Sequence, residues 1–299
     1  MRSCHCFALR TCRGFAFLWL AVGTCLAANA QSPPTPPDGY QWVKNEAFSD
    51  EFNGSQLDHD KWHDHNPYWK GRPPGKFVPS SVSVENGYLQ IKSTVLDPPD
   101  GKFTIACGAV QSKSKDALFG YYECRMKASS ISTSSTFWLT GPHFEVPGGK
   151  MRLELDIQEC IGNAQRFETF KTHMKSNTHI TFTPDGEGAE RKQAKKGGGA
   201  PLKSNVADEF HTYGCWWVDA NTLKFYADGE YKYTIEPSTE LDPTPFDHPL
   251  FMNLVCETYA WEVPPTFEEL QDDSRNTTYY DWVHAYKLVK ESANEVTSQ

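Results

Sequence analysis

Residues 151–161 read Met-Arg-Leu-Glu-Leu-Asp-Ile-Gln-Glu-Cys-Ile, and this run constrains the fold more than any other part of the chain. Met151, Leu153, Leu155 and Ile157 alternate with Arg152, Glu154, Asp156 and Gln158. A period of two predicts a strand with one apolar face and one charged face. Glu154 and Glu159 sit five apart, so a regular strand would send them to opposite faces. A β-bulge at Ile157–Gln158 adds one residue and returns Glu159 to the face of Glu154 and Asp156. Two carboxyls about 5–5.5 Å apart is the spacing a retaining glycosidase needs. The plainer readings are a wetted strand face or a calcium or magnesium site built from hard oxygen ligands. Against a merely wetted face, three acids and Arg152 share one short strand, and packed like charges cost energy unless something uses them.

Similar runs recur along the chain with turn residues between them. Examples are Tyr88–Ser93 after Glu85-Asn86-Gly87, Gly120–Lys127, Thr136–Leu139, Thr212–Val218, Leu223–Ala227 before Asp228-Gly229, Phe251–Val255 and Tyr279–Leu288. Many short strands and almost no long helical pattern predict an all-β sandwich or barrel. One short helix is expected at Thr266–Leu270, where Thr266 and Glu269 can form a capping box. The segment Pro184–Lys203 holds Arg191, Lys192, Lys195, Lys196 and three consecutive glycines, and reads as a long mobile loop. It is either a solvated insertion or a basic lid over a substrate.

The start of the chain has a different character. Arg2, Arg10 and Arg13 precede an apolar run from Phe15 to Ala28, and Ala28-Asn29-Ala30 suits a cleavage site. Residues 1–30 therefore read as a secretory signal peptide. Residues 31–40 form a Pro-rich spacer, 41–292 the β domain and 293–299 a disordered tail. Without Arg2, Arg10 and Arg13, 26 of the 29 basic residues face 38 acidic ones, a net charge of −12. That balance argues against nucleic acid or anionic membrane as the main partner. It leaves room for an anionic polysaccharide held by a local basic patch. Cys107, Cys124, Cys160, Cys215 and Cys256 remain, an odd and widely spaced set with no Cys-x-x-Cys pair. They read mostly as small buried hydrophobes, with room for one unassigned disulfide. His63-Asp64-His65 offers alternating metal ligands in a loop rich in Trp, Asn and Pro.

Several segments, in order, resemble glycoside hydrolase family 16. They are Ser49-Asp50-Glu51-Phe52-Asn53-Gly54, Gly120-Tyr121-Tyr122-Glu123-Cys124-Arg125, Phe137-Trp138-Leu139, Glu154-Leu155-Asp156-Ile157-Gln158-Glu159 and Phe210-His211-Thr212-Tyr213. The resemblance covers roughly residues 45–290. It implies a two-sheet β-jelly-roll sandwich of the concanavalin kind with an open substrate cleft. Three further stretches resemble the agarase and porphyranase branch: Trp69-Lys70-Gly71-Arg72, Ser176-Asn177-Thr178-His179 and Cys256-Glu257-Thr258-Tyr259-Ala260-Trp261.

What the resemblance implies is a secreted, monomeric endo-hydrolase of β-linked galactan. Glu154 attacks the anomeric carbon, Glu159 is the acid and then the base, and Asp156 orients Glu154. Trp69, Trp138, Trp217 and Trp261 are candidate sugar-stacking residues, and Arg72, His179 and Glu257 candidate partners of hydroxyls or sulfate. Trp216 and Trp217 are adjacent on a strand, so one of them must face inward. No cofactor is expected for catalysis. A structural calcium held by Glu51 and Asp281 is implied, against the reading of two ordinary surface acids. The competing functions are a κ-carrageenase, a β-1,3-glucanase, or a jelly-roll lectin that binds without cutting.

Overall fold

The computed structural model describes residues 33–291. The expected signal peptide, the start of the spacer and the tail at 293–299 lie outside the described residues. In the first half of the chain the strands are β1 (Tyr40–Lys44), β2 (Trp62–His63), β3 (Gly75–Phe77), β4 (Val82–Glu85), β5 (Tyr88–Lys92), β6 (Thr94–Asp100), β7 (Phe103–Ser112) and β8 (Gly120–Lys127). Then come β9 (Ser134–Thr140), β10 (Phe144–Val146), β11 (Gly149–Ile161), β12 (His173–Pro184) and β13 (Lys192–Pro201). The last are β14 (His211–Asp219), β15 (Thr222–Ala227), β16 (Glu230–Ile235), β17 (Phe251–Glu257) and β18 (Thr277–Lys290). Two short helices, α1 (Thr169–Thr172) and α2 (Phe267–Gln271), lie between strands.

The strands form two sheets, antiparallel apart from the β3–β7 pair. One runs β16-β15-β14-β8-β18-β5-β4, with β1 added at β18. The other runs β13-β12-β11-β9-β17-β7-β2 and carries the acidic strand near its middle. We call them the outer sheet and the cleft sheet. The alternation in β11 explains the layering. Leu153, Leu155 and Ile157 are fully buried in one apolar cluster with Cys124 and Met126 of β8, Trp217 of β14 and Phe225 of β15. Burying a side chain of this size contributes about 1.5–3 kcal/mol, so the apolar face of β11 holds the two sheets together. The acidic face is thereby turned away from the core.

The bulge lies where the spacing places it. The pairing of β11 with β9 shifts register between Asp156 and Gln158. Ile157 and Gln158 both turn away from the cleft, and Gln158 is fully buried. A buried amide needs partners. The Gln158 side-chain Oε1 accepts from the Lys175 backbone N–H at 2.8 Å, and Ser176 Oγ donates to the Ile157 backbone carbonyl at 2.7 Å. These side-chain bonds stand in for ladder bonds that the bulge removes.

Two expectations are corrected. Much of Pro184–Lys203 is no loop. Residues 192–201 form edge strand β13, paired with β12 over ten positions, and Ala194 packs into the core. Lysine and glycine density hid a strand whose order comes from its neighbour rather than from its own hydrophobic pattern. The described cysteines form no disulfide; all five are buried and free. The helix at 267–271 is as expected, with both bonds of the Thr266–Glu269 capping box present.

Candidate active site

An open cleft of about 850 Å³ crosses the cleft sheet. Glu154, Asp156 and Glu159 line it together, which requires the bulge. Trp69, Arg72, Trp138, His179, Glu257 and Trp261 line the same cleft. Of the proposed substrate-contacting residues, Trp217 alone is elsewhere. It is fully buried between the sheets, where its Nε1–H donates to the Phe246 carbonyl at 3.1 Å. Alternation required Trp216 and Trp217 to face opposite ways; the inward one is Trp217, and the outward one lies on the outer sheet, away from the cleft.

The two glutamates have different surroundings. Arg152 lies two residues before Glu154 on the same face, and its Nη2 donates to Glu154 Oε2 at 3.0 Å. Arg152 also bonds Thr140 Oγ1, which holds the guanidinium in place. Glu159 instead accepts from two neutral donors. Tyr259 donates its hydroxyl to Oε1 at 2.8 Å, and the Asn177 amide donates to Oε2. On its other side Asn177 packs against Gly197 of β13, where an added Cβ would lie 2.5 Å from Asn177 Oδ1. A side chain at 197 would displace this donor.

Asp156 sits between the glutamates and is 5% exposed. Burial, and then the charges of Glu159 and Glu154, push its carboxyl well above the usual range. His179 Nε2 lies 3.3 Å from Asp156 Oδ2. Burial lowers the His179 pKa even though Glu154 and Glu159 oppose it. Desolvation thus works against charge on both partners, so the contact is not that of a full ion pair. Farther along, Glu257 is buried and its pKa is pushed up to about 8 by desolvation, opposed by Arg72. Arg72 Nε comes within 3.3 Å of Glu257 Oε2 but off hydrogen-bond geometry, so that buried oxygen has no hydrogen bond. The Arg72 guanidinium also lies over the Trp69 and Tyr259 rings, at 5.7 and 5.2 Å.

Metal readings fare less well. Among the described residues, Glu154, Asp156 and His179 alone bring three ligand-type side chains within 4.8 Å of one another. The Arg152 guanidinium on Glu154 opposes a cation there. Glu51 and Asp281 do not form a calcium cage either. Glu51 Oε1 is taken by Lys44 and His284, each at 2.8 Å, and Asp281 pairs with Arg125. Carboxylates already facing cations are a poor hard-cation site.

Reading the sequence alone gave no site role to Tyr259 or Asn177, and named Arg152 only as a member of the charged face; Lys195, offered as part of a basic lid, does line the cleft, but from strand β13. Period two carried a signal for some of them: Asn177 is two residues before His179, Tyr259 two after Glu257, and Arg152 two before Glu154.

A β-sandwich whose cleft presents two glutamates on one bulged strand, flanked by tryptophans, defines the carbohydrate-cleaving jelly-roll class. The chain belongs to glycoside hydrolase family 16, and the model described as "Beta-porphyranase A-D, GH16 domain" matches residues 42–288. It is 55% identical over 263 residues to beta-porphyranase E of Zobellia galactanivorans, covering 85% of this chain and 90% of that one. It is 47% identical over 281 residues to beta-porphyranase B of Phocaeicola plebeius, covering 86% and 88%. Among solved structures, the beta-porphyranase of the human gut bacterium Bacteroides plebeius superposes with a TM-score of 0.81 at 45% identity, covering 87% of this chain and 96% of that one.

Proposed function

We propose that this chain is a retaining endo-hydrolase of β-linked galactan, and that its preferred substrate is sulfated galactan of the porphyran type. The placement of Glu154 and Glu159 on one face of a bulged strand carries the reading. Glu154 attacks through Oε1, because Oε2 is held by Arg152. The Glu154–anomeric carbon bond forms as the glycosidic bond breaks, and the leaving oxygen takes its proton from Glu159. Glu159 then removes a proton from water, which displaces Glu154 and restores the enzyme. The Tyr259 hydroxyl suits both half-reactions, since it can donate to a carboxylate or accept from a protonated carboxyl. Asp156 lies buried on the same face beside the nucleophile, where desolvation and the charges of Glu159 and Glu154 push its carboxyl up.

The porphyran preference rests on the relatives: the matching family model and the proteins 55% and 47% identical to this chain are all named beta-porphyranases. Arg72, Arg152 and Lys195 line the cleft as the cations that can meet a sulfate group. Among the described residues no helix is long and apolar enough to cross a membrane. Secretion is supported by the arginine-led apolar start and by 30% identity over 286 residues to a Streptomyces coelicolor protein named extracellular agarase.

The test is incubation of the purified protein with porphyran, agarose and κ-carrageenan, followed by reducing-end assay and linkage analysis of the products. New reducing ends from porphyran above the other two are expected. Binding without new ends from any of them would establish the lectin reading instead.

A further inference from the structure

At one end, aromatic packing continues past the lining of the cleft. Tyr259, whose hydroxyl holds Glu159, stacks on Trp261 with ring centroids 5.0 Å apart and planes inclined at 25°. Trp261 meets Phe170 at 5.0 Å and Phe167 at 5.4 Å, the latter edge to face. Trp261 is 38% exposed and Phe167 56% exposed. Trp261 lines the cleft; Phe167 lies beyond it. Contiguous exposed rings of this kind mark an interaction site more often than a lone surface aromatic does.

The segment that carries Phe167 is anchored. Glu262 is buried, and its Oε2 accepts from the backbone N–H groups of Gln165 and Arg166 at 3.1 and 3.2 Å. Its Oε1 accepts from the Val263 N–H at 2.7 Å. One carboxylate therefore ties the segment after β11 to the segment after β17, which bears Trp261. Asn163 adds a bond to Glu269 of α2 at 3.1 Å. Phe170 is capped on one side by Lys175 Nζ, 4.7 Å from its ring centre. Rings fixed before the ligand arrives lose little entropy on binding it.

We propose that Phe167, together with Trp261, forms a distal sugar-stacking subsite that holds a galactan chain beyond the cleft and favours long chains over short ones. The occupant follows from continuity: a chain threading past Glu159 and Tyr259 meets Trp261 and then Phe167. The subsite rests on the galactan-hydrolase reading.

The experiment compares wild type, Phe167→Ala, Phe167→Tyr and Phe267→Ala on polymeric porphyran and on the shortest oligosaccharide the wild type cleaves. Phe267 is the control, since it is 57% exposed on α2. Phe167→Ala should lower the polymer-to-oligosaccharide ratio of kcat/KM by about three- to tenfold, mainly through KM. Phe167→Tyr should keep the wild-type ratio, and so should Phe267→Ala. An unchanged ratio in Phe167→Ala overturns the subsite while leaving the hydrolase reading intact. A wild type inert on every galactan overturns both, and its own rate tells the two failures apart.

Discussion

Each sheet of the sandwich buries a carboxyl whose pKa is pushed up to about 8 by desolvation: Glu257 on the cleft sheet and Glu123 on the outer sheet. Their surroundings differ. Glu257 lines an open cleft with Glu154 and Glu159, and faces a guanidinium. Glu123 is fully buried, and neither of its oxygens has a hydrogen bond. The Tyr121 hydroxyl helps to lower its pKa yet stays outside bonding geometry, and His284 Nδ1 is 3.9 Å from Oε1. A perturbed carboxyl is thus not a site in itself. Chemistry needs the same perturbation beside a groove that a substrate can enter.

The largest effect that can break this comparison is on rate. Glu154→Gln should cut kcat on galactan by on the order of 10³-fold or more, whereas Glu123→Gln should leave kcat within about twofold. Steady-state kinetics on purified variants decides it, and comparable losses in both would erase the distinction between the two sheets.

Stability against pH comes next. A folded-state pKa of about 8 against an ordinary value of 4.5 means that the folded form binds more protons between those values. The contribution is fully present below about pH 4.5 and is lost as pH rises through about 8. Glu123→Gln should therefore flatten the decline in urea midpoint between pH 5 and pH 8. A decline as steep as wild type would mean that Glu123 is not the group responsible.

Binding effects should be smaller. Arg72→Ala should raise KM more than it lowers kcat, because Arg72 touches Glu257, Trp69 and Tyr259 rather than either catalytic glutamate. The loss of a cation should also push the Glu257 pKa higher still, since Arg72 now opposes the rise. An equal fall in kcat and kcat/KM would instead assign Arg72 to the transition state. The smallest expectation is a null one. A chelator should leave the melting midpoint unmoved, because Lys44, His284 and Arg125 already occupy Glu51 and Asp281.

The acidic strand and its bulge were legible because both are local. Alternation over 151–157 announces a two-faced strand, and the odd spacing of Glu154 and Glu159 demands one extra residue. The capping box at Thr266 is local too. Strand β13 was not legible, because its ten pairings with β12 are backbone bonds that lysines and glycines do not advertise. Trp217 was misplaced for a related reason. Alternation says that neighbours on a strand face apart, but not which face the other sheet will cover.

By itself, then, the chain determined an all-β protein with three acids on one face of one kinked strand. Its order of motifs was enough to place it in its family. Only the tertiary structure decided who surrounds those acids. Tyr259 comes to Glu159 from 100 residues away, and Glu51 meets His284 across 233. Such partners meet because the sheets pack and the strands pair in one register, and short-range periodicity has no means to encode a contact made at that distance.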